Sequence, residues 1–450
     1  MAGKKIILFL FIISILSGFF WNQKIFGQPI TSDQLLYDGV ALDILNNSRF
    51  TYEDKETFIE PIYPLFLAQI YAIFGHNYNI VRVIQIILFA ITVTFVYLLG
   101  KELFNEKIAV ASSLATALFY GIANQAGNIM TESVFILEIV LFSYFICRAS
   151  LERRTVWFIL AGLFLGLAVL TRGIVQFLPL LIGANIFIVF WKRESLKVAI
   201  LKSGIFFLFF FIILMPWLVY NQQDTHGVVP RGGDLLSARA ETMEKLYPDY
   251  PQHLIGHLFG YYFAQKINPQ LDDSAFRDTP QTDQRIKDLA NAGKSYSEIN
   301  LILTEEAQKT IKHNFHKYIL TSTLDFISFN SPIILGGEFW RNELIIHPMF
   351  ADGRHPEISP ALKFFIILSI RLVWFLFLFL VIYGLAKNIK NWQKFGWLFL
   401  VIFYFNFTYS AVHAIPRYAL PIYPIYIILA FVGLNYFRAK ISYVKNKVND

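Results

Sequence analysis

Long apolar blocks without a single charge constrain this chain more than any other feature. Ile205 to Val219 and Leu372 to Leu385 are two examples, and similar blocks recur along the 450 residues. About 20 apolar residues in a helix cross the hydrocarbon core. In that medium only helices and closed barrels satisfy their own backbone. Hydrophobic residues make up 56% of the chain and charged residues 16%, against roughly 25% charged in a soluble domain. The expectation is therefore an all-α polytopic membrane protein rather than three soluble domains. The one cysteine, Cys147, excludes a disulfide scaffold. The net charge of +7 orients loops in such a protein and gives no reason to expect a nucleic-acid partner.

Ten spans are predicted: 6–21, 80–100, 107–123, 131–149, 156–171, 174–191, 203–220, 364–386, 395–412 and 417–437. The first follows Lys4 and Lys5 and lacks a small-x-small cleavage site, so it reads as an uncleaved signal anchor. Alternate short loops are basic: Lys101 and Lys107; Arg148, Arg153 and Arg154; Lys192, Arg193, Lys197 and Lys202; Lys387, Lys390 and Lys394. The positive-inside rule then places both termini in the cytoplasm and residues 22–79 and 221–363 outside. The domain reading is a seven-span module (1–221) with outer juxtamembrane helices at 30–75, an outer insertion (222–363), three further spans (364–437) and a basic cytoplasmic tail (438–450).

In the first outer segment, Ser32 or Asp33 is placed to cap a helix, with Tyr37 on the face of Asp33. Glu60–Pro61–Ile62–Tyr63–Pro64 precedes an apolar run, Leu65 to Phe74, too short to span and suited to an interfacial helix. The second segment contains Pro230–Arg231–Gly232–Gly233 and a stretch, 282–318, that reads as one amphipathic helix on Ile286, Leu289, Ile299, Leu303, Ala307 and Ile311. A polar connection this long should fold or cover something.

Charges at membrane depth cost at least ~2.5–3.5 kcal/mol and mark interior sites. Asp33 at the outer mouth suits a general base, or simply a helix end. Thr131–Glu132 opens the fourth span, where a helix dipole also favours Glu. Arg172 lies between apolar stretches too short to let it escape far. It suits a lipid phosphate gripped by two parallel hydrogen bonds, or else it snorkels to headgroups. Arg371 lies a third of the way into the eighth span, where snorkelling is the simpler reading. Arg417 and Tyr418 open the tenth span, which also fits an aromatic–basic interface belt, and His413 lies four residues before Arg417. The nine histidines lack metal-ligand spacing, so a divalent metal is conceivable but unsupported, and no other cofactor is indicated. His253 and His257 read as surface residues of the outer loop.

The order of these pieces resembles the lipid-dependent branch of the GT-C glycosyltransferases, which includes protein O-mannosyltransferases and lipid A aminoarabinose transferases. The resemblance rests on Asp33 with Tyr37, Glu60 to Leu65, Thr131–Glu132, Gly166 to Arg172, Pro216–Trp217 with Asn221, and Arg417 to Pro421. Two departures stand out. Gln34 takes the place of the usual second acidic residue, and Glu60 that of a proline. The resemblance implies a GT-C-like helical bundle with an outer-face helical insertion, sited in a bacterial inner or plasma membrane. Its donor would be a polyprenyl-phosphate-linked sugar and its acceptor a lipid, glycan or protein at the outer face. It further implies catalytic roles for Asp33 and Glu132. Donor or substrate contacts would come from Tyr37, Tyr63, Arg172, Arg371, His413, Arg417 and Tyr418, with Arg172 and Arg417 on the phosphate. Two other readings share the lipid-linked substrate: a transporter or flippase, and a surface-polysaccharide polymerase or ligase. Transporters carry inverted repeats and broken helices in matching halves, and no such symmetry is visible in the sequence.

Overall fold

The computed structural model describes residues 2–52, 55–56, 59–223, 232–271, 279–332 and 359–449. Pro230 and Arg231 of the second outer segment lie outside them. Apolar blocks become helices because each must satisfy its backbone internally, and almost every described element is helical. In chain order they begin with α1 (Ala2–Asn22), α2 (Asp33–Asn47), a two-stranded antiparallel ribbon β1 (Thr51–Tyr52) and β2 (Lys55–Glu56), and α3 (Ile62–Phe74). Then follow α4 (Tyr78–Leu103), α5 (Glu106–Leu118), α6 (Tyr120–Ala123), α7 (Glu132–Glu152), α8 (Thr155–Thr171), α9 (Leu178–Arg193) and α10 (Leu196–Gln223).

Beyond residue 231 come α11 (Gly233–Leu246), α12 (Tyr250–Phe259), α13 (Tyr261–Ile267), α14 (Pro280–Asn291), α15 (Tyr296–His313) and α16 (Phe315–Phe329). The last three are α17 (Pro360–Asn388), α18 (Trp392–Val412) and α19 (Tyr423–Asn449).

The ten predicted spans fall on helical segments, with 107–123 divided between α5 and α6. Among the described residues, seven stretches can cross a membrane by length and composition, or eight with the pair Glu106–Leu118 and Tyr120–Gly127, bent by 57°. The difference from ten has two sources. Phe364–Val412 forms one apolar stretch holding both α17 and α18, and α8 is a shorter apolar helix. The chain is an integral, multi-pass membrane protein.

It divides into two compact units: 1–216 with 375–404 and 420–450, and 217–374 with 405–419. In the first, helices approach closely where side chains vanish, as expected when lipid supplies no hydrophobic drive between helices. A Cβ on Gly384 of α17 would lie 2.2 Å from the Leu429 carbonyl oxygen of α19, and one on Gly433 would lie 2.1 Å from that of Leu380. Gly162 and Gly166 of α8 meet the backbone of α10 in the same way, so Gly166 has a packing role in its motif.

In the second unit, the stretch 282–318 is not one helix. Gly293, at φ +76°, ends α14, a conformation glycine adopts without a Cβ penalty. Ser295 and Glu298 then form a capping box that starts α15. The turn brings Ile286, Leu289, Ile299 and Leu303 into one apolar cluster.

Candidate active site

In the first unit, five of the residues singled out by sequence gather at the start of α2, the start of α7 and the end of α8. Ser32 occupies the N-cap position of α2 at φ 52° and makes no side-chain cap bond, so neither it nor Asp33 acts as the expected cap. Asp33 is the first helical residue and is exposed. Gln34 turns inward, and its Oε1 accepts the Ile129 N–H at 3.2 Å. The amide at the second acidic position of the motif therefore ties α2 to the bend before α7. One turn on, Tyr37 meets Tyr63 edge to face, with centroids 5.2 Å apart at 86°. Burial pushes the Tyr37 hydroxyl up to about 12. The Arg172 charge opposes the shift, while Glu60, Glu132 and Asp33 reinforce it. Those four charged groups thus act electrostatically on one phenol, which stays protonated and able to donate at neutral pH.

Arg172 follows the last residue of α8 with an extended backbone. Its Nε donates to Thr131 Oγ1 at 2.9 Å and its NH2 to Glu132 Oε1 at 3.0 Å. Its guanidinium also lies 5.8 Å from the Phe135 ring centroid. Glu132 is fully buried, while the Arg172 side chain keeps 16% of its exposure. Arg172 is therefore not the unpaired charge that the sequence suggests: it has a carboxylate partner and need not snorkel for one. The next residue, Gly173, donates its N–H to Glu60 Oε1 at 2.8 Å, so Glu60 fixes the chain just after Arg172. A Cβ on Gly173 would sit 2.7 Å from that oxygen. Tyr63, fully buried, donates its hydroxyl to Gln85 Oε1 at 2.9 Å.

Several supporting residues escaped the sequence reading. Gln85 Nε2 donates to the carbonyls of Ala126 and Asn128, and buried Arg82 donates to those of Gly127 and Gln28. Together they hold the bend that presents Thr131. Polar residues at i and i+3 in an otherwise apolar span were the available signal. Asp38 is a structural carboxylate that accepts from the Tyr71 and Tyr78 hydroxyls and lies 2.9 Å from His76 Nε2. Glu138, also buried, accepts from Thr171 Oγ1 at 2.9 Å. Among the described residues no group of three or more His, Cys, Asp or Glu side chains could hold a metal ion.

Arg371, His413, Arg417 and Tyr418 belong to the second unit. Arg371 is 2% exposed and donates to Ser331 Oγ at 3.3 Å, so it does not snorkel. His413 Nδ1 lies 3.8 Å from Asp325, which also accepts the Ala414 N–H and pairs with Arg239. Tyr418 stacks on Tyr409 at 5.0 Å, and Arg417 beside it is half-buried. His253 and His257 are buried rather than superficial, because both bond the Tyr261 hydroxyl, at 2.8 and 3.3 Å. Their i, i+4 spacing on an amphipathic helix points them inward together.

Residues 59–220 match the family of dolichyl-phosphate-mannose-protein mannosyltransferases. Two curated relatives resemble part of the chain. An undecaprenyl phosphate-α-4-amino-4-deoxy-L-arabinose arabinosyl transferase of Pseudomonas fluorescens is 29% identical over 164 residues, 34% of this chain and 29% of that protein. Its counterpart in Pseudomonas aeruginosa is 30% identical over 129 residues, 27% of this chain and 23% of that protein. The chain thus spans under a third of either relative's length in these matches. Among solved structures, the archaeal oligosaccharyltransferase AglB of Archaeoglobus fulgidus, in complex with an inhibitory peptide and a dolichol-phosphate, superposes with a TM-score of 0.54 at 14% identity. That match covers 100% of this chain and 52% of AglB. The helical architecture, the family match over the first module and the AglB likeness agree on one statement: this chain has the GT-C fold.

Proposed function

We propose that this protein is a glycosyltransferase that moves a sugar from a polyprenyl-phosphate donor to an acceptor at the outer face of the membrane. The observation that carries this reading is the polar cluster around Tyr37. It brings an exposed carboxylate, Asp33, and a guanidinium, Arg172, whose plane Thr131 and Glu132 hold fixed, within electrostatic reach of one phenol. That arrangement fits displacement at a sugar carbon. An acceptor hydroxyl or amine attacks C1 and gives its proton to Asp33. The C1–O bond breaks, and its electron pair leaves with the lipid phosphate. Arg172 faces the charge that gathers on that phosphate from its partly exposed side, with no reorganisation left to pay.

A lipid donor is chemically sensible for such a site, since its chain can enter from the bilayer. The relatives that name an undecaprenyl phosphate donor and the neighbour that holds a dolichol-phosphate support the same donor class. In this reading both termini face the cytoplasm. Asp33→Asn keeps size and hydrogen bonding but removes the base. Transfer from a polyprenyl-phosphate sugar by purified protein in nanodiscs should fall at least 100-fold with donor affinity unchanged, within the usual worth of general-base catalysis. Transfer near the wild-type rate would remove Asp33 from the chemistry.

A further inference from the structure

Helix α16 belongs to the stretch that the sequence assigns to a polar outer insertion, yet its two faces are arranged against that setting. A water-exposed amphipathic helix turns its apolar stripe inward and its polar face out. In α16 the polar residues Thr321, Asp325 and Ser328 are buried, alongside Leu324 and Phe329. Large apolar side chains face out: Phe315 is 58% exposed, Ile319 49%, Leu320 39% and Phe326 50%.

The contacts of α16 explain the inversion. Its residues run along the outer end of α18 in descending register. Tyr318 donates to the Ala411 carbonyl, Phe329 stacks on Tyr409 at 5.3 Å, and Asn330 Nδ2 donates to Asn406 Oδ1 at 2.7 Å. Just beyond the helix, Asn330 accepts from Trp374 Nε1 and Ser331 accepts from Arg371, both on α17. Arg371 lies seven residues inside the apolar stretch that begins at Phe364, and Asn406 lies six residues inside the end at Val412. At 1.5 Å per residue these are depths of about 10 Å and about 9 Å. Two independent helices therefore set the C-terminal end of α16 at one level, well below the outer edge of the spans.

We propose that α16 is a re-entrant helix that dips into the outer leaflet, with Phe315, Ile319, Leu320 and Phe326 lying against lipid acyl chains. The occupant of this face is lipid because the residues that end α16 are bonded to α17, a helix of spanning length and composition whose Leu372 and Val373 are likewise exposed. The start of the helix suits the headgroup level, where Lys312, His313 and His316 are exposed. Inside hydrocarbon, the buried polar face is satisfied by protein: Arg239 donates to Thr321 Oγ1 and to the Tyr318 carbonyl and pairs with Asp325, which accepts the Ala414 N–H. Such internal satisfaction is what non-spanning backbone needs at membrane depth.

The test is spin-label depth measurement on the full chain in lipid nanodiscs, with Cys147 replaced by serine. Single cysteines at Ile319 and Phe326 are compared with Lys309→Cys on exposed α15 and with Leu376→Cys on α17. Because all four side chains are exposed, the substitutions leave the core intact, and elution as a single folded species confirms it. Labels at 319 and 326 should show the high oxygen and low nickel-chelate accessibility of 376, with 326 deeper than 319. Nickel accessibility equal to that at 309 would overturn the proposal, since the face would be in water. Exclusion of both probes would also overturn it, since a protein surface would then cover the face.

Discussion

Replacement of Arg172 separates two jobs that the structure combines in one side chain. The first is structural. Glu132 is fully buried and pairs with Arg172 at 3.0 Å. Breaking a buried pair from one side costs about 3–5 kcal/mol, because a charge stays behind in low dielectric. Here Arg172 keeps partial solvent access, which puts the expected loss at the low end, about 3 kcal/mol. The second job is donor binding. Loss of one charged, hydrogen-bonded contact to a phosphate is worth about 1.5–3 kcal/mol, or roughly 10- to 150-fold in affinity.

The double replacement Arg172→Ala with Glu132→Gln distinguishes the two. It removes the stranded carboxylate and should recover most of the thermal stability lost in Arg172→Ala. It should recover none of the donor affinity, because nothing has replaced the guanidinium. Arg172→Lys should bind donor at intermediate strength, since an ammonium is a point charge that cannot bond Thr131, Glu132 and a phosphate with one planar fork. The assays are melting midpoints in detergent and donor titration in nanodiscs. Equal donor affinity in Arg172→Ala and the wild type would refute the reasoning, leaving Arg172 a purely structural partner of Glu132.

Three further outcomes follow from other parts of the chain. His257 is held down to about 3, first by burial and then by the charges of His253 and Arg371; a group depressed this way stabilises the fold above its unfolded value near 6.5 and loses that contribution as pH falls. Melting midpoints should therefore drop between pH 7.5 and 5.5, by the equivalent of about 1.4 kcal/mol, and His257→Gln should drop less; equal drops would assign the acid sensitivity elsewhere. Gly384→Leu should destabilise the α17–α19 crossing by at least 1–3 kcal/mol, since even a Cβ meets the Leu429 backbone, and an unchanged melting midpoint would show that the helices can separate freely. Single cysteines at 245 and 390, in a background lacking Cys147, should be labelled by an impermeant thiol reagent in intact cells only at 245; labelling of 390 would reverse the orientation.

The spans were legible because apolar length alone demands helical backbone, and the predicted spans fall on helical segments. Length says nothing of bends or breaks. The turn between α5 and α6 and the division of 282–318 at Gly293 depend on local backbone conformation, which a hydrophobic period passes over. At the candidate site, the identities of Asp33, Tyr37, Tyr63, Glu132 and Arg172 were readable as polar or aromatic residues beside membrane spans. Their pairing was not. That Glu132 neutralises Arg172 across 40 residues, or that Glu60 holds the Gly173 amide across 113, follows from tertiary contacts with no trace in local pattern. The buried His253–Tyr261–His257 group was misread for a similar reason. A polar loop composition suggested surface, while the helix face that carries both histidines turns inward.

The central claim is that this chain transfers a sugar from a lipid phosphate at the outer face. It is tested most directly by mass spectrometry of surface glycans and lipid-linked sugars from cells that lack the gene, carry it, or carry it as Asp33→Asn at equal expression. The account predicts a glycan or lipid species heavier by one sugar residue with the wild-type chain, absent from the other two, with the lipid-linked donor accumulating in both. The same envelope composition in all three, or full restoration by Asp33→Asn, would contradict it.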